Sequence, residues 1–249
     1  AQVHYNFNNF EACEYAAKMA IEIFEACSDR YAQELFEAYQ LLGRTYVHRV
    51  EYKKALDAMY CGQKLAQRTD NGWLEGHARL GASGAHYGEM DIASAKKAAH
   101  LAQELFQEEG CLRSEAKVYQ LALSEYAKLE GNHDLSRRYV EDALRIMEEN
   151  SDHKMCCYLQ LRLAALLQDA GDEEEAAKAS MRALKLARME EDKRQVAQSL
   201  FMVLAANFAI LNAQPDTETK AFRQQTEKMA RYAKEALGLS VKFRDENCE

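Results

Sequence analysis

Compact side chains recur along this chain at intervals of 40 or 41 residues, and that recurrence restricts the fold more than any other feature. Ala55, Ala95, Ser136 and Ala176 mark the first set. Seven residues after each comes another small residue: Gly62, Ala102, Ala143 and Ala183. Seven residues are two turns of an α-helix, so each pair shares one face. A small residue there lets a neighbouring helix approach the backbone closely. A period of this size marks repeat architectures, in which each helical hairpin needs its neighbours to cover its apolar face.

The rest of the chain agrees with helix. Its 249 residues contain one proline and 11 glycines, the two residues that weaken helix interiors most. β-branched residues are scattered, which argues against a sheet. Apolar residues at spacings of three and four recur, as in Leu35, Tyr39, Leu42 and Tyr46, or Leu159, Leu163 and Leu166. Polar links separate such stretches. The pattern predicts a leading helix near 9–27. Pairs follow at 30–49 with 51–68, 72–87 with 91–109, 112–129 with 132–149, 152–170 with 172–189, and 191–212 with 217–237. Asp70, Ser151 and Asp152 are expected as caps of the helices that follow them. Pro215 falls in the last expected turn, where a missing N–H costs little. Residues 1–249 read as a single array of about five hairpins plus the leading helix. The start at Ala1 and the aromatic segment Tyr5-Asn6-Phe7-Asn8-Asn9-Phe10 suggest the remnant of an earlier repeat, with the native chain extending upstream.

Gly43, Tyr46, Ala55 and Gly62, with Gly171, Ala176 and Ala183, resemble the tetratricopeptide repeat consensus. The familiar repeat has about 34 residues. The longer form here is similar to the repeats of the Pins/LGN scaffold family and of Rap-type peptide receptors. The resemblance implies an all-α, right-handed α-solenoid of antiparallel helix pairs, whose first helices line a concave groove. It also implies protein or peptide ligands. Domains of this kind that clamp acidic chaperone tails use Asn at set positions of consecutive first helices. Arg44 and Gly84 stand there instead, which argues against such a clamp.

By register, the groove candidates are Gln40, Arg44 and His48, then His77, Leu80 and Tyr87. Leu121, Glu125 and Lys128 follow, then Tyr158, Leu161, Ala165, Gln168 and Asp169. Gln198, Phe201, Ala205 and Phe208 complete the set. Aromatic, apolar and polar groups mixed in this way suit a peptide or an amphipathic helix. Arg44 and His48 lie one turn apart and could together meet an acidic group of a partner.

Catalytic constellations are missing. Gly81-Ala82-Ser83-Gly84 lacks the lysine and the preceding strand of a phosphate loop, and reads as small residues at a close helix crossing. Cys156-Cys157 is adjacent rather than C-x-x-C, and His153 beside it does not complete a ligand set. Cys13 and Cys27, 14 residues apart, share a helix face and suit core packing. His77 and His86 have no third ligand in sight. The acidic run Asp172–Glu175 opens a helix, where carboxylates favour the positive end of the dipole. Trp73 reads as a packing anchor between repeats. No enzyme activity, cofactor or metal is expected.

The net charge of −8 disfavours nucleic acid, which needs clustered cations. No apolar run approaching about 20 residues is evident from the sequence, so no membrane insertion is expected. Seven cysteines in a chain too large to need staples suggest free thiols in a reducing, cytoplasmic setting. The leading expectation is an interaction scaffold or adaptor that holds a peptide or helix of a partner. The alternatives are a peptide-responsive regulatory receptor and a constitutive subunit of a larger assembly.

Overall fold

A computed structural model of the protein describes residues 2, 5, 9–26, 29–213 and 220–246. Phe7, Cys27, Pro215 and Cys248 lie outside the described residues, and so do the expectations placed on them. Among the described residues every regular element is helical. The contacts divide the chain into two compact units, 1–129 and 130–249.

The first unit holds α1 (Phe10–Glu25), α2 (Ala32–His48), α3 (Tyr52–Arg68), α4 (Gly72–Gly88), α5 (Ile92–Glu108), α6 (Leu112–Val118) and α7 (Ser124–Leu129). The second holds α8 (His133–Glu149), α9 (His153–Asp169), α10 (Glu173–Met189), α11 (Lys193–Ala213) and α12 (Lys220–Glu246). In each unit a helix packs chiefly on its neighbours in sequence, with a narrower contact one helix further on, as between α2 and α4 or α9 and α11. This stacking of hairpins is the tetratricopeptide-like all-α solenoid arrangement.

The recurring small residues sit where expected. Ala55, Ala95, Ser136, Ala176, Ala102, Ala143 and Ala183 are all fully buried. A Cβ built on Gly62 would come 3.2 Å from the Phe36 ring, so glycine there lets α3 lie against α2. Small residues thus set the spacing, and larger ones such as Phe106, Leu123, Leu184 and Leu200 fill the space between helices.

A second, finer period governs the links. Val50, Asp70, Met90, Gly110, Gly131, Ser151, Gly171 and Glu191 all have left-handed φ, between 50° and 77°. They stand 20 residues apart, with one step of 21 between Gly110 and Gly131. Each ends a helix. At Val50, its own N–H donates to the Val47 carbonyl at 3.0 Å and the N–H of Glu51 donates to Tyr46 at 2.9 Å. The same pair of bonds recurs at 70, 90, 110, 151, 171 and 191, and it satisfies carbonyls that a helix end leaves unpaired. The next residue then starts the following helix. Asn71, Asp91, Asn132, Asp152, Asp172 and Asp192 each accept from the backbone N–H three residues on. A link is therefore three residues long: a C-cap, a left-handed residue and an N-cap. The expectation that Asp70 and Ser151 cap is corrected accordingly. They occupy the left-handed position, and Asn71 and Asp152 cap.

The step of 21 has a visible cause. α2, α3, α4, α5, α8, α9 and α10 each have 17 residues. Between α6 and α7 lies a π turn, Tyr119–Leu123. The seven, five and six residues of these three pieces make one more than the 17 of each neighbour. A π turn accommodates one extra residue without shifting the faces on either side. Ala116 and Val118 before it, and Tyr126 and Ala127 after it, all remain buried.

Two further expectations need correction. α11 is 21 residues long with a mean hydropathy of 1.6 over its most apolar window, long and apolar enough to cross a membrane by length and composition. Gln198, Ser199, Asn207 and Asn212 break the apolar run, yet the average over the helix stays high. The last helix was expected to end near 237 and instead runs to Glu246. Gly238 lies inside it with open space around its Cβ position.

Candidate functional site

In the second unit, α9 buries Cys156, Cys157, Leu159, Gln160, Leu163, Leu166 and Leu167. α11 buries Val196, Ser199, Leu200, Val203 and Ala206. Both rest on α10, whose Ala183, Leu184 and Ala187 join the same core as Cys157, Leu200 and Val203. The opposite faces of α9 and α11 stay open, and they are strongly apolar. Phe201 is 68% exposed and Phe208 67%, with Tyr158 half exposed. Seven residues separate the two phenylalanines, so they share a face.

Two adjoining cavities are built on this surface. One, of about 490 Å³, lies between Tyr158, Leu161, Arg162 and Ala165 of α9 and Ala197, Gln198, Phe201 and Met202 of α11. The other, of about 660 Å³, is lined by Phe201, Leu204, Ala205, Phe208, Leu211 and Asn212 of α11, with Phe222, Thr226, Met229, Ala230 and Ala233 of α12. Phe201 borders both. Apolar walls with a few polar groups at the edge, here Arg162, Gln198 and Asn212, are the make-up of a binding site for apolar groups.

The sequence-derived candidates divide sharply on this geometry. Tyr158, Leu161, Phe201 and Phe208 converge on the two cavities, with Ala165, Gln198 and Ala205. Gln168 and Asp169 lie at the end of α9 and line neither. Arg162, Met202, Leu204, Phe222, Met229, Ala230 and Ala233 were not singled out. Phe222 and Met229 carry the same seven-residue signal as Phe201 and Phe208 and could have been found by it.

In the first unit the candidates are largely engaged by the chain itself. The Arg44 guanidinium lies 4.6 Å from the centre of the Tyr5 ring. The His48 imidazole stacks on Phe10 at 5.3 Å, with Tyr5 edge-on to it at 5.4 Å. Both side chains thus meet aromatic rings of the N-terminal segment, Arg44 as a cation over the Tyr5 face. His77 is wedged between Trp73 and Phe106, with ring centres 4.4 and 4.9 Å away, and its Nε2 lies 3.2 Å from Ser114 Oγ. Burial pushes its pKa down to about 4, helped by the charge of Lys117. It is a neutral packing residue, and Trp73 beside it anchors to the core as expected. Tyr87 stacks on Tyr126 at 5.4 Å, and the Tyr126 hydroxyl lies 2.5 Å from that of Ser83. Gln40, Leu80, Glu125 and Lys128 are half-buried, and Leu121 is exposed on the π turn.

Around these surfaces the chemistry is that of packing. Burial raises the Cys156 thiol to about 11 and raises Cys157 as well, so neither is poised as a thiolate. Gly81 behaves as a close crossing, its Cβ position meeting Met59 Sδ, whereas Gly84 faces open space. No group of three or more His, Cys, Asp or Glu side chains arranged to hold a metal ion occurs among the described residues.

No protein-family model and no curated protein matches the chain. Solved structures do match. BtubC (BKLC) from P. vanneervenii aligns with a TM-score of 0.76 at 14% identity, over 94% of this chain and 92% of that one. A putative kinesin light chain from Podosopora anserina with nearly identical TPR-like repeats aligns with a TM-score of 0.60 at 12% identity, over 83% and 95%. A Rap protein complexed with Competence and Sporulation Factor aligns with a TM-score of 0.64 at 14% identity, over 98% and 74%. At these identities the likeness is one of architecture, and it agrees with the stacked hairpins: the chain has the tetratricopeptide-like α-solenoid fold.

Proposed function

We propose that this protein is an interaction scaffold that holds an apolar segment of a partner protein against α9 and α11, with no catalytic role of its own. One observation carries the reading. Phe201 stands two-thirds exposed between two apolar cavities, on a surface that no described residue covers. Large apolar side chains left open and grouped in this way mark interaction sites. The similarity in fold to a Rap protein complexed with Competence and Sporulation Factor supports a ligand held by such an array.

Burying an aromatic or aliphatic side chain contributes about 1.5–3 kcal/mol. Removing one wall of the 490 Å³ cavity should therefore weaken binding by about tenfold or more. The test begins with a displayed peptide library panned on the wild-type chain. Selected peptides should carry apolar residues at regular spacing and lose affinity for Tyr158→Ala and Phe201→Ala. Arg44→Glu should leave their binding unchanged, because Arg44 lines neither cavity and its guanidinium already lies on the Tyr5 ring. Selected peptides that bind the Phe201→Ala chain as tightly as wild type would refute the assignment.

A further inference from the structure

A third cavity, of about 370 Å³, opens in the second unit where α10, α11 and α12 meet. It shares only Met229 with the α11–α12 cavity assigned above to a partner segment. Met181 of α10 and Met229 of α12 give it an apolar floor, Met229 buried and Met181 half-buried. Three exposed cations stand around that floor: Lys178 and Arg182, one turn apart on α10, and Lys228 of α12. Asn207 of α11 closes the remaining side, its amide fixed by the Val203 carbonyl at 2.7 Å and by Gln225 at 3.1 Å.

No carboxylate lines this cavity. Glu175 binds Lys178 at 2.6 Å and offsets its charge. Lys178 is also the chief cause of the lowered Glu175 pKa, with Arg182 a lesser one. Arg182 and Lys228 form no ion pair among the described residues, and Lys228 meets the Tyr232 ring at 5.7 Å instead. Further along the same two helices the pattern is different. Arg188 of α10 binds both carboxylate oxygens of Glu235 of α12, at 2.9 and 2.8 Å. Six residues before Arg188 stands Arg182, and seven before Glu235 stands Lys228. A cation therefore takes the place of the acid, and two positive charges face one empty space. An anion between them removes that repulsion. We propose that this cavity is a binding site for a phosphate monoester carried on an apolar body. The dianion matches the two uncompensated charges, and the planar fork of Arg182 suits phosphate oxygens. The methionines hold the apolar body, an aromatic ring included. The site does not depend on the apolar groove, which rests on Tyr158 and Phe201.

Titration calorimetry of the full chain with phenyl phosphate tests this, at about pH 7.5, well above the second phosphate pKa of about 6. Phenyl phosphate should bind more tightly than inorganic phosphate, which lacks the apolar body, and than benzoate, which brings one charge. Arg182→Gln with Lys228→Gln should weaken it by about tenfold or more. Both side chains are exposed, so far-UV circular dichroism should match wild type. Arg182→Lys keeps the charge without the fork and should weaken binding by a smaller factor, a second reading if the double variant loses helix. Lys53→Gln with Lys97→Gln removes the same charge from exposed positions of the first unit and should change nothing. Tyr158→Ala and Phe201→Ala should also leave phenyl phosphate binding intact. A short phosphotyrosine peptide separates the two sources of this chemistry. Binding tighter than that of phenyl phosphate assigns the site to a phosphorylated side chain of a partner, and equal or weaker binding assigns it to a free ester. The proposal is overturned if phenyl phosphate does not bind, binds no tighter than benzoate, or binds Arg182→Gln with Lys228→Gln as well as wild type. An equal loss in Lys53→Gln with Lys97→Gln also overturns it, since the attraction would then belong to overall charge.

Discussion

A methyl group on Gly76 would stand 2.7 Å from the ring of Phe106, a side chain with no exposed surface at all. The ring also meets His77 edge-to-face, 4.9 Å away, and has no exposed side to swing toward. Gly76→Ala should therefore destabilise the first unit by about 1–3 kcal/mol, the usual cost of overpacking. Gly84, two turns along the same helix, has nothing within 4 Å of its Cβ position. Gly84→Ala should stabilise by about 0.5–1 kcal/mol through helix propensity. Urea midpoints of the two variants, moving in opposite directions from wild type, check both.

The links offer a second test. Val50 and Met90 hold left-handed φ of 63° with exposed side chains, so they carry the conformational cost without compensating burial. A β-branched residue is a marked outlier there. Val50→Gly and Met90→Gly should each stabilise by about 1 kcal/mol. Gly131→Ala, at φ 74° with open space around it, should lose a similar amount through the backbone alone. Thermal unfolding followed at 222 nm reads all three.

Removing a residue separates the π turn from ordinary helix. Leu121 is exposed within Tyr119–Leu123. Its deletion restores the 17-residue length of the neighbouring helices and leaves both flanking faces in register, so the folded state should survive with a loss of about 1–2 kcal/mol at most. Deletion of the exposed Glu104 from regular α5 rotates everything beyond it by about 100°. It turns the buried Phe106 outward, and that unit should unfold. Circular dichroism of the two purified deletions distinguishes them.

His77 makes stability depend on pH in a defined direction. Its folded pKa, about 4, lies below the ordinary histidine value of 6.5. Between those values the unfolded chain binds the proton and the folded chain does not. Stability thus rises with pH across that window and is lost as pH falls from 6.5 toward 4. The contribution is on the order of 3 kcal/mol. Carboxylates such as Glu14, held low chiefly by Lys18, act in the more acidic range. The difference between wild type and His77→Gln in stability-against-pH curves isolates the histidine term, which should flatten in the variant.

Much of this architecture was legible in the sequence because close packing needs small residues at fixed places. Ala55, Ala95, Ser136 and Ala176 located the hairpins, and the structure buries all four. Phe201 and Phe208 were legible for the same reason: a seven-residue step fixes a face within one helix. The π turn was not, since Tyr-Gln-Leu-Ala-Leu is ordinary helical sequence. Only the step of 41 between Ala95 and Ser136 betrayed an extra residue. The 20-residue link was half visible. Asn71, Asp91, Asn132, Asp152, Asp172 and Asp192 recur at that interval, but Glu51 and Cys111 break the series without side-chain caps. The covering of Arg44 and His48 by Tyr5 and Phe10 joins residues more than 30 apart. No local pattern encodes such a contact.

The groove on α9 and α11 is the claim on which the functional account turns. Hydrogen exchange of the full chain, with and without a peptide selected on it, measures that groove directly. The account predicts new protection concentrated in 153–169 and 193–213, lost in Phe201→Ala. Protection confined instead to 32–48 and 72–88, with 193–213 unchanged, would contradict it.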